Sequence, residues 1–290
     1  MKAQALSFLP RNILGEGPIW DERLSTLYWV DIIGGKVYRL SKNNNVDIVF
    51  QTNDYVTCVA LTTNPDLLLV TLKDRVVLID INTKSIIKVL AKVDEPPNNR
   101  LNDCKVDAAG RLWFGSMDMN EKEPSGSLYV LDPSGMIKRV LSEVTISNGI
   151  VWSLDNKFMY YIDSPTRKIA VFKFDLNRGE LINKVMNIDV SRYAGIPDGM
   201  TIDSEGYLWV AMYGGGKVLR INPEKGTVVD EVEVSVPYTT SCTFGGNDLM
   251  SLYITTARNY PREVEREGDD GKLFIVDTKV RGYAVNKYLI

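Results

Sequence analysis

Histidine is absent from all 290 residues of the chain. That absence excludes Ser-His-Asp and Cys-His catalysis, histidine general bases and imidazole-ligated metals. Any chemistry must rest on carboxylates, amides, Lys, Arg, Tyr or a metal held by oxygen. Cysteine is scarce: Cys58, Cys104 and Cys242 are too few and too scattered for a disulfide framework or a thiolate zinc site, and each sits in an apolar run. The expectation is three reduced, buried core residues. Strong charge is missing as well, with 34 Lys and Arg against 37 Asp and Glu for a net charge of -3, so nothing draws the chain toward nucleic acid or an anionic membrane. Ala3 to Leu9 is too short and too broken by polar residues for a signal-peptide core, and no apolar run of membrane-spanning length follows. These features predict a soluble, cytoplasmic protein. An amphipathic helical period is not evident over any useful length.

What is present is a repeat. The run Tyr207-Leu-Trp-Val210 recurs as Thr26-Leu-Tyr-Trp29, Leu67-Leu-Leu-Val70, Arg111-Leu-Trp-Phe114, Lys157-Phe-Met-Tyr160 and Ser251-Leu-Tyr-Ile254, spaced 40 to 50 residues apart. Each unit reads as four short strands separated by turns such as Asp107-Ala-Ala-Gly110, Asp203-Ser-Glu-Gly206 and Asn222-Pro-Glu-Lys-Gly226. Six such units predict an all-β chain, residues 1–290, folded as one six-bladed β-propeller domain with four antiparallel strands per blade and a central channel. The ring must close. The outer strand of the sixth unit could come from Gly282 to Val285 or from Gln4 to Phe8, and the N-terminal strand is favoured because it leaves no open seam.

Counting back 10 or 11 residues from each aromatic run gives Glu16, Thr57, Asn102, Asn148, Asp198 and Ser241, all bearing side-chain oxygen. In a propeller these positions ring one mouth of the channel. Carboxylates and amides converging there are costly to bury unless a positive charge lies between them. A hard divalent cation meets that need: Ca²⁺ first, then Mg²⁺ or Mn²⁺, with Zn²⁺ or Fe²⁺ also compatible. The plainer alternative is that Asp and Asn followed by Gly149 and Gly199 are turn residues bonding the backbone.

Gly15-Glu-Gly-Pro-Ile-Trp20, Asn98-Asn-Arg-Leu-Asn-Asp-Cys-Lys-Val-Asp107, Ile146-Ser-Asn-Gly-Ile-Val-Trp152, Pro197-Asp-Gly-Met200 and Ser241-Cys-Thr-Phe-Gly-Gly246 resemble the family of senescence marker protein (regucalcin), gluconolactonase and luciferin-regenerating enzyme. The resemblance runs through essentially the whole chain. It implies a six-bladed propeller holding one divalent metal, with hydrolysis of sugar-acid lactones as the commonest activity. Metal ligands of the family match Glu16, Asn148 and Asp198, and substrate-contacting positions match Arg100 and Asn102, with Asp103 following in the same motif. A further acidic contact, carried in the family by the loop after the third unit's aromatic strand, has four candidates here: Asp118, Asn120, Glu121 and Glu123.

The resulting expectation is a gluconolactonase-like carboxylic ester hydrolase in which metal-activated water opens the lactone. Asp198 is the candidate base that orients and deprotonates the water, while Arg100, Asn102 and Asp103 hold the substrate. Two alternatives remain open: a phosphotriester or aryl-ester hydrolase on the same site, and a non-enzymatic calcium-binding regulator. The partner is a small-molecule sugar lactone, without nucleic acid or membrane, and the chain is a monomer or weak homo-oligomer. Smaller signals read as structure. Ser85-Ile-Ile-Lys88 is an outer strand, Gly214-Gly-Gly-Lys217 a hairpin turn, the five tryptophans interblade packing, and Glu263 to Asp270 a solvated loop.

Overall fold

The computed structural model describes residues 1–258 and 268–290; the charged segment at 263–267 lies outside them. Six four-stranded antiparallel sheets follow one another in chain order, and their inner strands, Gly15–Asp21, Val56–Leu61, Asn99–Val106, Ser147–Trp152, Ile196–Ile202 and Thr239–Gly245, pack around a common axis. This is the six-bladed propeller expected from the repeats. Each blade grades outward from a buried inner strand to an exposed edge such as Ser85–Lys92. No helix among the described residues is long and apolar enough to cross a membrane.

The N-terminal strand closes the ring. Gln4–Ala5 pairs with Phe274–Asp277 as the outermost strand of blade 6. The other candidate, Gly282 to Val285, runs elsewhere: the C-terminal segment crosses the channel at the end where the inner strands finish. Tyr283 N–H donates to Ile202, Asn286 Nδ2 to Val106, Tyr288 N–H to Leu61 and Leu289 N–H to Gly110.

Tryptophans fill the seams between blades, as their spacing suggested. Trp113 packs against Trp152 and Phe174 of the next blade, Trp209 against Phe244, and Trp20 against Tyr253. Each such ring contributes about 1.5–3 kcal/mol by burial. Blades 3 and 5 share a turn device. Fully buried Asp107 accepts from the Ala109 and Arg111 amides, Arg111 Nε and Trp113 Nε1. Asp203 accepts equivalently from the Glu205 and Tyr207 amides, Trp209 Nε1 and Arg220 Nε. The aspartate thus ties the turn to the next strand's tryptophan, with its charge balanced by arginine.

One expectation is corrected. Cys58 and Cys104 form a disulfide with Cα atoms 5.9 Å apart, while Cys242 is free and buried. The two cysteines are 46 residues apart in sequence, but the ring sets the inner strands of blades 2 and 3 side by side. Spacing in the sequence carried no trace of that contact.

Candidate metal centre

At their outset the inner strands do not run straight. In blades 1, 3, 4 and 5 the pairing register shifts between Glu16 and Ile19, Leu101 and Cys104, Ser147 and Ile150, and Pro197 and Met200. These β-bulges re-aim side chains toward the axis, so the Asp-Gly and Asn-Gly pairs are bulges inside strands rather than turns. Glycine is needed after the acidic residue because the next blade is so close: a Cβ on Gly199 would lie 2.1 Å from Ser241 Oγ.

Four of the six ring positions, Glu16, Asn102, Asn148 and Asp198, face one open cavity of about 790 Å³, together with Arg100. Two do not. Thr57 Oγ1 is engaged by Thr71 Oγ1 at 2.7 Å, and Ser241 lines a second cavity at the opposite end of the channel. Blade 6 instead places Thr240 at its register shift, where Oγ1 donates to the Gly15 carbonyl. Counting back a fixed number of residues misplaced this position by one. Asp103 also lines the far cavity rather than sharing a wall with Arg100 and Asn102. Its placement gives no support to direct substrate contact; its charge still acts on the site.

Arg100 lies within the inner strand of blade 3, opposite Met117. It is 8% exposed. Its Nη1 donates to the Leu101 carbonyl and to Asn102 Oδ1. Asn102 Nδ2 donates in turn to the Ser147 carbonyl at 2.7 Å and to Asn148 Oδ1 at 2.9 Å. Asn148 Nδ2 donates to Ser164 Oγ at 2.8 Å, and Ser164 Oγ donates to the Pro197 carbonyl at 2.7 Å, one residue before Asp198. This relay links blades 3, 4 and 5. It fixes both amides so that each oxygen keeps a lone pair for a ligand. Ser164 belongs to the short 3₁₀ turn Ser164–Thr166 after the second strand of blade 4, and sequence reasoning missed it because a lone Ser-Pro turn carries no motif.

The carboxyls gathered at this end of the channel hold their protons above the usual range. Burial, with Asp103 adding to it, pushes the Glu16 carboxyl from 4.5 to about 8, against the opposing pull of the Gly17 amide, Arg100 and Lys105. Asp198 is driven well above its usual range by burial and then by Glu16, Asp103 and Glu121. Asp103 is raised by burial too, with Lys105 opposing. Arg100 and Lys105 leave these buried carboxyls undercompensated. Among the described residues no three Asp, Glu or Cys side chains form a metal-binding cluster. Here two carboxylates would be completed by amide oxygens, a donor set that suits a hard divalent ion.

The four candidates in the loop after the second strand of blade 3 are placed differently. Asp118 organises the loop, its carboxyl held low by the amides of Glu123, Lys122 and Asn120 and by Asn98 Nδ2. Of the four, only Glu121 lines the cavity. Its backbone takes a positive φ of 60°, a local choice that its sequence neighbours do not advertise.

The resemblance to known proteins runs over most of the chain. A family model described as "SMP-30/Gluconolactonase/LRE-like region" matches residues 14–258. A Bacillus subtilis (strain 168) protein named "Putative sugar lactone lactonase YvrE" is 36% identical over 275 residues, 94% of this chain and 94% of its own. Among solved structures, a luciferin-regenerating enzyme superposes with a TM-score of 0.91 at 29% identity, covering 99% of both chains. A calcium-binding protein, regucalcin, from Agrobacterium tumefaciens superposes with a TM-score of 0.90 at 25% identity, covering 97% of this chain and 95% of its own. The chain belongs to the SMP-30/gluconolactonase/LRE-like family.

Proposed function

We propose that the protein is a metal-dependent lactonase that opens a small sugar-acid lactone. The observation that carries this reading is the convergence of Glu16, Asn102, Asn148, Asp198 and Arg100 on one open cavity, with two carboxyls raised by burial and short of positive charge. Glu16, Asn148 and Asp198 would hold a divalent ion, with Asn102 available as a fourth ligand. Ca²⁺ is the first choice, given the oxygen donors and the calcium-binding relative; Mg²⁺, Mn²⁺, Zn²⁺ and Fe²⁺ are the alternatives. Bound there, the ion would supply Lewis-acid polarisation of the lactone carbonyl and charge for the developing oxyanion.

The chain's own groups do the rest. Arg100 presents a fixed fork of donors to substrate oxygens, and Asn102 holds that fork in place. Glu121, facing the same cavity, accepts hydrogen bonds from ring hydroxyls. Asp198 would orient the attacking water and take its proton through the carboxylate oxygen it does not give to the ion. Water adds across the acyl C–O bond, the ring oxygen leaves as a hydroxyl, and the product acid releases a proton.

That proton is the readout. Metal-stripped protein is assayed with a pH indicator on a panel of aldono-lactones, with single metals added back. Proton release that needs metal, and that falls about 10³-fold or more in Asp198→Ala, is the expected result. Tight Ca²⁺ binding without turnover on any lactone would instead identify a calcium-binding protein. A rate equal to buffer alone for every metal and lactone ends the lactonase reading.

A further inference from the structure

We propose that Tyr213 is a specificity-determining residue of this site, its hydroxyl donating to a ring hydroxyl of the lactone while Glu121 accepts from that same hydroxyl; the inference rests on the lactonase reading above and names how a hydroxylated substrate is chosen. Tyr213 ends the second strand of blade 5, Leu208–Tyr213, where it stands opposite Ile196, two residues ahead of Asp198. It lines the same open cavity as Arg100, Glu121 and Asp198. Its side chain is half-buried, at the boundary between the packed blade and the opening.

The tyrosine is fixed before any substrate arrives. Tyr238, on the approach to the inner strand of blade 6, packs on it with ring centroids 5.0 Å apart, and the two residues also pair through their backbones. The chain turns immediately afterwards through Gly214-Gly-Gly216, with positive φ at Gly214 and Gly216. Gly195 presses on the end of the strand from the other side: a Cβ there would lie 2.5 Å from the Tyr213 carbonyl oxygen. The glycine turn that the sequence offered without a function thus holds the end of the strand that carries Tyr213. A side chain ordered in advance loses little freedom when a ligand binds, so its contact shows in the choice of substrate.

The surroundings decide what the hydroxyl can do. Burial, then the Asp198 and Glu121 carboxylates and Tyr238, push the Tyr213 hydroxyl well above its ordinary value. It keeps its proton and acts as a donor rather than as an acid. Glu121, reaching the cavity from an exposed loop of blade 3, is an acceptor. A donor and an acceptor on one ligand group select a hydroxyl, which accepts and donates at once. A ketone accepts but cannot donate, an ammonium donates but cannot accept, and a methylene does neither. A lactone lacking that hydroxyl leaves both protein groups without the partner they meet in the complex, and such sites reject the deoxy analogue strongly.

The test compares wild-type protein with Tyr213→Phe, both metal-reconstituted, on the aldono-δ-lactone turned over fastest and on its monodeoxy forms, each lacking a different hydroxyl. In wild type, kcat/KM should fall about 10–100-fold for one of the deoxy lactones. Tyr213→Phe should lose about five- to tenfold on the parent lactone and less than about twofold on that deoxy form, because the contact is already gone. Metal affinity, read by titration calorimetry, and melting temperature should match wild type. An equal loss on the parent and every deoxy lactone, no loss on any of them, or a fall in metal affinity or melting temperature overturns this inference and leaves the lactonase reading standing. No turnover on any lactone overturns both.

Discussion

The channel has two ends, made from the same six inner strands, and they have been put to opposite uses. Where the strands begin, bulges turn Glu16, Asn102, Asn148 and Asp198 into an open cavity, and buried carboxyls are left short of positive charge. Where the strands finish, the C-terminal segment lies across the opening, bonded to Ile202, Val106, Leu61 and Gly110, and the Cys58–Cys104 disulfide pins two neighbouring blades beneath it. One end gathers buried carboxyls whose proton affinity is raised, while the other is closed by hydrogen bonds from the C-terminal segment and by a covalent link. A site tolerates a destabilising arrangement where the surrounding structure over-determines it. In this protein the over-determination comes from the far end of the same strands.

That division of labour can be broken at either end. The largest expected effect is at the closed one. Paired Cys58→Ser and Cys104→Ser replacements remove a link spanning 46 residues, which should cost about 3–4 kcal/mol of stability and lower the melting temperature by several degrees. Lactone hydrolysis below the new melting point should stay within about twofold of wild type, since neither sulfur faces the metal-side cavity. A collapse in rate without loss of stability would show that the two ends are not separable.

Next in size is Ser164→Ala at the open end. Losing the hydroxyl frees Asn148 Nδ2 and the Pro197 carbonyl together, and removal of such supporting bonds typically weakens metal binding about 10–100-fold. Titration calorimetry reads the metal affinity directly. Ser164→Thr, which keeps the hydroxyl, should retain most of it. Unchanged affinity in Ser164→Ala would mean that the relay holds the blades but not the ligand set.

The smallest effect is a pH dependence of the metal-free protein. Glu16 has a folded value of about 8, raised by burial above its ordinary 4.5. Its neutral form therefore favours folding below about pH 4.5, and that contribution is lost as pH rises toward 8. The metal-free melting temperature should fall by a few degrees across this window, with the dependence reduced in Glu16→Gln and reversed by saturating metal. A flat profile in the metal-free protein would remove the electrostatic case for a bound cation.

Much of the site was legible because its parts are local. Glu16, Asn148 and Asp198 stand at the same place in the first, fourth and fifth repeats, and a closed ring of the repeats brings them together. Asp103 shows the limit of that reasoning. It is next to Asn102 in sequence, yet the bulge at this pair sends the two side chains to different cavities. Thr240 shows the same limit in blade 6, where a shift of one residue decides which side chain stands at the bulge. Ser164 was missed, and Glu121 could not be singled out from its three fellow candidates, for another reason. Each owes its place to a turn conformation, a 3₁₀ segment in one case and a positive φ in the other, and no repeat unit carries a copy that would mark it.

By itself the sequence determined the repeat, the short apolar runs, the turns and hence the propeller, since these depend on residues a few positions apart and on a period of 40 to 50 residues. It also determined what chemistry is possible, because a chain without histidine leaves the work to oxygen. Only the tertiary structure decided which cysteines meet, which end of the channel the C-terminal segment closes, and which neighbours of the metal-side residues hold them in place. Those outcomes depend on contacts between strands far apart in the chain, whose side-chain directions are set by bulges and by the spacing between blades rather than by local preference.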